Sequence, residues 1–190
     1  MQNTLHYTRT AKAIHWLTAL MILGLLGLGF YMADLPLSPQ KLKLYSWHKW
    51  AGVTVFLLTI ARLGWRITHQ PPAMPWQMSK LQRLAAHAGH LALYALLVAI
   101  PLSGWLMSSA KGFQTVWFGV LPIPDLIPKD KAIGDALQEL HEGLNVLLIV
   151  LLLVHVAAAL KHHFIDKDDV LTRMLPAHRE PAADMSSMEQ

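Results

Sequence analysis

The chain has 190 residues, 54% of them apolar and 15% charged, with a formal net charge of +4. This is more apolar than an ordinary soluble domain, and its charges gather in patches between nearly charge-free stretches, which points to membrane spans and away from nucleic-acid binding. There is no cysteine, which excludes disulfides, thiolate-held iron–sulfur clusters and prosthetic groups linked through Cys.

Residues 1–12 form a polar lead carrying Arg9 and Lys12. Residues 13–33 predict a first transmembrane helix, apolar apart from His15 and Thr18. A cleaved leader would have a shorter apolar region and a small-residue cleavage site. Gly24, Gly27 and Gly29 leave a thin strip for close packing. The connection 34–45 contains Pro36 and Pro39, read as helix-ending. The second span is placed at about 47–67, opened by His48 between Trp47 and Trp50. Its uncharged core is short, so Lys49 and Arg62 are expected to snorkel towards the two interfaces.

A proline-broken loop, 69–75, leads to a third span at about 84–108 with His87, His90 and a kinking Pro101. Residues 111–137 form the longest connection. A fourth span at about 140–162 holds His141 and His155. Residues 164–175 read as an amphipathic surface segment, and 176–190 as a disordered tail. The fold class is therefore all-α: residues 13–163 make one transmembrane four-helix bundle. Ten basic residues (Arg9, Lys12, Arg62, Arg66, Lys80, Arg83, Lys161, Lys167, Arg173, Arg179) face six (Lys41, Lys43, Lys49, Lys111, Lys129, Lys131), which places both termini in the cytoplasm.

His141 and His155 are fourteen positions apart. On one helix this brings the two side chains to within ~40° of each other and ~21 Å apart along the axis. Each imidazole then lies near an opposite face of the bilayer. A histidine inside a span is costly and usually functional, although one alone also serves as interhelical glue. Depth supplies partners: His48 lies at the outer level with His141, and His15 at the inner level with His155. Two imidazoles at equal depth on facing helices are what six-coordinate haem iron requires, and the chain supplies that twice. The inner pairing stays open on spacing alone, because His87 or His90 can replace His15. His87, His90, His162 and His163 also form a candidate quinone or proton-exchange group at the inner end.

Ile14-His15-Trp16, His48, His87-Ala88-Gly89-His90, the His141/His155 pair and Lys161-His162-His163-Phe164 together resemble bacterial cytochrome b561. The resemblance runs from about His6 to Met174. It implies a four-helix bundle of the bacterial inner membrane enclosing two non-covalent b haems, with iron ligands His15 with His155 and His48 with His141. It also implies an activity, superoxide:quinone oxidoreductase, passing electrons from periplasmic superoxide to ubiquinone. Arg9, Lys12, Lys49, Arg83 and Lys111 are candidate partners of the haem propionates or simple interfacial cations. A non-catalytic subunit relaying electrons from an unidentified periplasmic redox partner would use the same ligands. A transition-metal transporter would need carboxylates along its path, and neither 84–110 nor 143–160 contains Asp or Glu.

Overall fold

The computed structural model describes residues 6–176; the first five residues and most of the stretch read as a disordered tail lie outside them. Four helices form an up-down-up-down bundle: α1 (Arg9–Ala33), α2 (Pro39–Thr68), α3 (Lys80–Ala110) and α4 (Lys131–Lys161). All four are long and apolar enough to cross a membrane. Each begins on a side-chain cap. The oxygens of Thr8, Ser38, Ser79 and Asp130 accept the otherwise orphaned amides of Ala11, Lys41, Gln82 and Ile133. At α3 a capping box adds the return bond from Ser79 N–H to the Gln82 side chain.

All four helices start before the expected spans, α1 and α3 by four residues and the other two by more. The second begins at Pro39, eight residues before Trp47. Pro39 follows the Ser38 cap at the first helical position, where the missing N–H costs nothing, so this proline starts the helix instead of ending one. The fourth begins at Lys131 behind Asp130, which shortens the long connection to 111–130. Within that connection a small hairpin pairs β1 (Val116–Trp117) with β2 (Leu121–Pro122). It is tied to α2 where Trp50 donates to the Val116 carbonyl at 2.6 Å and Lys49 to that of Phe113 at 2.8 Å. Trp105 on α3 donates to the Pro124 carbonyl. The hairpin thus sits over one end of the bundle, here the hairpin end; the opposite end, where α1 starts and α4 finishes, is the base.

The amphipathic surface helix expected over 164–175 does not form. After Lys161 the chain makes a π-helical turn, His162–Asp166, and Lys167 turns left-handed at φ 53°. His162 Nδ1 meets Asp168 at 2.6 Å, and the remaining turns fold back under the base. There Lys12 donates to the Leu175 carbonyl, Trp16 to that of Met174, and Arg173 to that of Ala73. Short local turns, such as Arg173 N–H to the Asp169 carbonyl, are thus tied down by bonds to α1 and to the loop before α3.

Packing runs through α1–α2, α2–α3 and α3–α4, and α1 approaches α4 through His15 and His155. The core is one layer at mid-height, with one residue from each helix: Ile22, Val55, Leu96 and Leu148. Outward residues such as Leu20, Leu91 and Leu153 stay exposed, as lipid-facing side chains must. Leu148→Ala is therefore expected to destabilise the detergent-solubilised protein by about 2–5 kcal/mol. Leu153→Ala should stay within about 0.5 kcal/mol. Denaturant titration followed by circular dichroism checks both.

Candidate functional site

The histidines are placed by register against that layer. His15 precedes Ile22 by seven residues and His48 precedes Val55 by seven; Leu148 lies seven after His141 and seven before His155. Seven residues are nearly two full turns, about 10.5 Å of rise, so residues so spaced share one helix face. The same steps on all four faces define two levels. At the hairpin end stand Gly29, His48, Ser103 and His141; at the base stand His15, Arg62, Gly89 and His155.

At the hairpin level the His141 ring is held by α3. Its Nδ1 lies 3.1 Å from the Ile100 carbonyl and 2.9 Å from Ser103 Oγ. A carbonyl only accepts, and the Ser103 hydroxyl spends its own proton on the same carbonyl at 2.8 Å. Nδ1 therefore carries the ring proton, and Nε2 keeps the lone pair that a metal needs. The carbonyl involved belongs to the residue before Pro101, and α3 stays helical through that proline. Glycines let the two rings approach: a Cβ on Gly104 would stand 3.2 Å from His141 Cε1, and one on Gly29 3.4 Å from His48 Cε1. His48 Nδ1 is buried with no hydrogen-bond partner among the described residues, a condition costing about 1–3 kcal/mol in a folded protein. Gly24 and Gly27 instead face open space, so the expected glycine strip contributes only Gly29 to this site.

At the base His155 has two ring neighbours. The centroid of His15 lies 6.3 Å away at 67°, and that of His90 lies 5.5 Å away at 71°. Two metal–nitrogen bonds of about 2 Å, plus about 1.1 Å from each nitrogen to its ring centre, set imidazoles on either side of one metal about 6.2 Å apart. His15 has that spacing and His90 is too close. His87 turns outward, its Nδ1 against the Arg83 carbonyl of its own helix at 2.7 Å. His162 is engaged by Asp168, and His163 packs edge-on against Phe164. Of His87, His90, His162 and His163, His90 is the one beside His155.

One residue passed over as a site member belongs here. Arg62 does not snorkel outward: Nε donates to the Tyr94 hydroxyl at 3.0 Å and Nη1 to the Ala11 carbonyl at 3.3 Å. The signal was available in the sequence, since Arg62 lies fourteen residues after His48 and so on the same face. Most of the candidate propionate cations are committed elsewhere. Lys12 and Lys49 bind the carbonyls already named, Arg83 binds those of Pro75, Trp76 and Met78, and Lys111 binds Gln138. His162, Asp166 and Asp168 bring ligand atoms within 4.8 Å of one another, but Lys161 holds both oxygens of Asp166, and the group reads as an ion-paired knot.

The profile of the prokaryotic cytochrome b561 family matches residues 6–177. Cytochrome b561 homolog 2 of Escherichia coli (strain K12) is 40% identical over 170 residues, which cover 89% of this chain and 90% of that protein. Cytochrome b561 homolog 1 of the same organism is 29% identical, covering 91% and 98%. A Yersinia pestis protein named probable superoxide oxidase CybB is 27% identical over 174 residues, covering 91% and 97%.

The hold of α3 on His141 yields a direct expectation. Ser103→Ala leaves the ring only the Ile100 carbonyl and should cost about 0.6 kcal/mol, typical of an interhelical hydrogen bond in a membrane bundle. Denaturant titration against the parent protein measures the difference.

Proposed function

For a chain that belongs to the prokaryotic cytochrome b561 family, a family of b-type membrane cytochromes, we propose a two-haem carrier that takes electrons from superoxide at the hairpin end and delivers them to a quinone. The observation that carries this reading is the register: imidazoles two turns above and two turns below one apolar layer, on facing helices. The residues fit haem. His141 presents Nε2, and His15 and His155 stand near the spacing of two axial ligands.

His48 with His141 would hold one haem, and His15 with His155 the other. Bound there, haem supplies a one-electron iron couple at each level. Ser103 and the Ile100 carbonyl fix the plane and tautomer of His141, and the glycines admit the rings. The Ile22, Val55, Leu96 and Leu148 layer keeps water out between levels about 21 Å apart. With both termini cytoplasmic, the hairpin end faces the periplasm, where superoxide arises outside the cell membrane's barrier to anions. Two superoxide anions would give two electrons and leave as dioxygen, while a quinone takes those electrons with two protons to become the quinol. His90, beside His155 and outside the axial pair, is placed to pass a proton to a quinone at the base. The name of the 27%-identical Yersinia pestis protein supports superoxide as the donor.

Purified protein should carry two haems per chain, all extractable by acidified organic solvent. His15→Ala and His155→Ala should each remove or make five-coordinate the same haem, His48→Ala and His141→Ala the other, and His90→Ala neither. A haem ratio near one, or a His90→Ala spectrum matching that of His155→Ala, overturns the pairing.

Superoxide should be consumed by the isolated protein in the presence of a water-soluble quinone, at a rate followed by loss of a superoxide-dependent dye signal. If both haems are intact and no superoxide is consumed, the protein is an electron-transfer subunit with a separate redox partner.

A further inference from the structure

The two histidine levels are alike in ligands and unlike in charge. At the hairpin level the residues that complete the ring around His48 and His141 are Gly29 and Ser103, which carry no charge. The corresponding place on α2 at the base is Arg62, seven residues past the buried Val55. Its guanidinium is fixed from both sides. Tyr94, one turn beyond His90 on α3, takes Nε, and Ala11, one turn before His15 on α1, takes Nη1. Both acceptors are neutral, so the bonds locate the positive charge without cancelling it. Among the described residues the carboxylates at this end are engaged elsewhere: Asp166 with Lys161, Asp168 with His162 and Asp169 with Arg173. Arg66 also lies on α2, one turn nearer the base, and is exposed.

We propose that Arg62, held by Tyr94 and Ala11, is a positioning residue that raises the reduction potential of the base-level haem above that of the hairpin-level haem, giving electron flow its direction. This rests on the two-haem reading above. A haem iron between two neutral imidazoles has one more positive charge when oxidised than when reduced. A fixed cation nearby disfavours the oxidised form, and the effect is large where few waters screen it. The hairpin level has no counterpart in its ring, and Lys49, its nearest cation along the chain, is turned to the Phe113 carbonyl in the connecting loop, where the Asp125 carboxylate offsets its charge. With haem held at both levels, an electron would lower its free energy by passing from the hairpin level to the base, one iron being oxidised as the other is reduced, with no proton moved. Arg62 acts before any quinone is present, so it sets the direction of transfer whatever the final acceptor.

The test is a potentiometric titration of the purified, haem-loaded protein, with each haem identified by its loss in His155→Ala or His141→Ala. Two one-electron waves are expected in the parent. Arg62→Gln should lower the base-level wave by at least tenfold in its reduction equilibrium, about 59 mV for one electron, and leave the hairpin-level wave in place. Arg62→Lys should restore most of the difference, because it keeps the charge. Tyr94→Glu, which neutralises the guanidinium without removing it, should move the same wave in the same direction, and it decides the matter if Arg62→Gln fails to take up haem. A base-level wave unmoved in these variants, or both waves moving equally, overturns the role of Arg62. A single wave from protein carrying two haems also overturns it, whereas a haem-to-protein ratio near one overturns the two-haem reading instead.

Discussion

Four helices can meet in one buried layer in a membrane only if each turns a single face inward along its whole length. Lipid is as apolar as Leu148 or Ile22, so no hydrophobic force sorts the faces; close packing and polar contacts do. In this bundle the inward face of each helix repeats at seven residues. The repeat puts apolar residues at mid-height and polar residues or glycine two turns away on either side. Where the histidines stand is thus a consequence of how the helices pack. Moving one histidine by a single position would rotate it by about 100° out of the interior.

The surrounding structure serves that register. The carbonyl of Ile100 and the hydroxyl of Ser103 are both on α3, whereas the ring they orient is on α4, so the pairing of these helices fixes a tautomer. The hairpin is bound to α2 through Lys49 and Trp50 and to α3 through Trp105, and it braces the end at which two helices present their rings. At the base the braces come from the returning chain beyond α4 and from Arg62, which links α1, α2 and α3 through two hydrogen bonds. Gly104 adds a steric limit, because a Cβ there would press on the His141 ring, whereas one at Gly29 would only touch the His48 ring.

Much of this was legible in the sequence, for physical reasons. A charge-free run long enough to span a bilayer has few other folds open to it, so the four spans could be found from composition. A helix of known rise turns sequence position into depth, so matched histidine levels followed. What depth does not give is azimuth. Arg62 stood at the edge of a short uncharged core and read as an interfacial cation, yet its step from His48 puts it on the inner face. His87 and His90 shared a depth, and only their packing separates the outward ring from the inward one. Helix starts were misplaced because Pro39 and Asp130 are starting signals that also occur in loops. The fate of 164–175 was illegible because its bonds go to Lys12, Trp16 and Ala73, far away in the chain.

The position of α4 bears on biosynthesis. It contributes one histidine to each level, and it follows the other three helices in the order of the chain. A ribosome-bound chain that has inserted α1, α2 and α3 offers His15 and His48 but neither opposite ring. On the proposed pairing of His15 with His155 and His48 with His141, neither level would enclose a metal from both sides until α4 has entered the bilayer. The segment after it then clasps Lys12 and Trp16 on the first helix made, so that closing the base is among the last events of assembly. A chain arrested before α4 would present half-sites only, and nothing in it would retain a prosthetic group that needs two axial imidazoles.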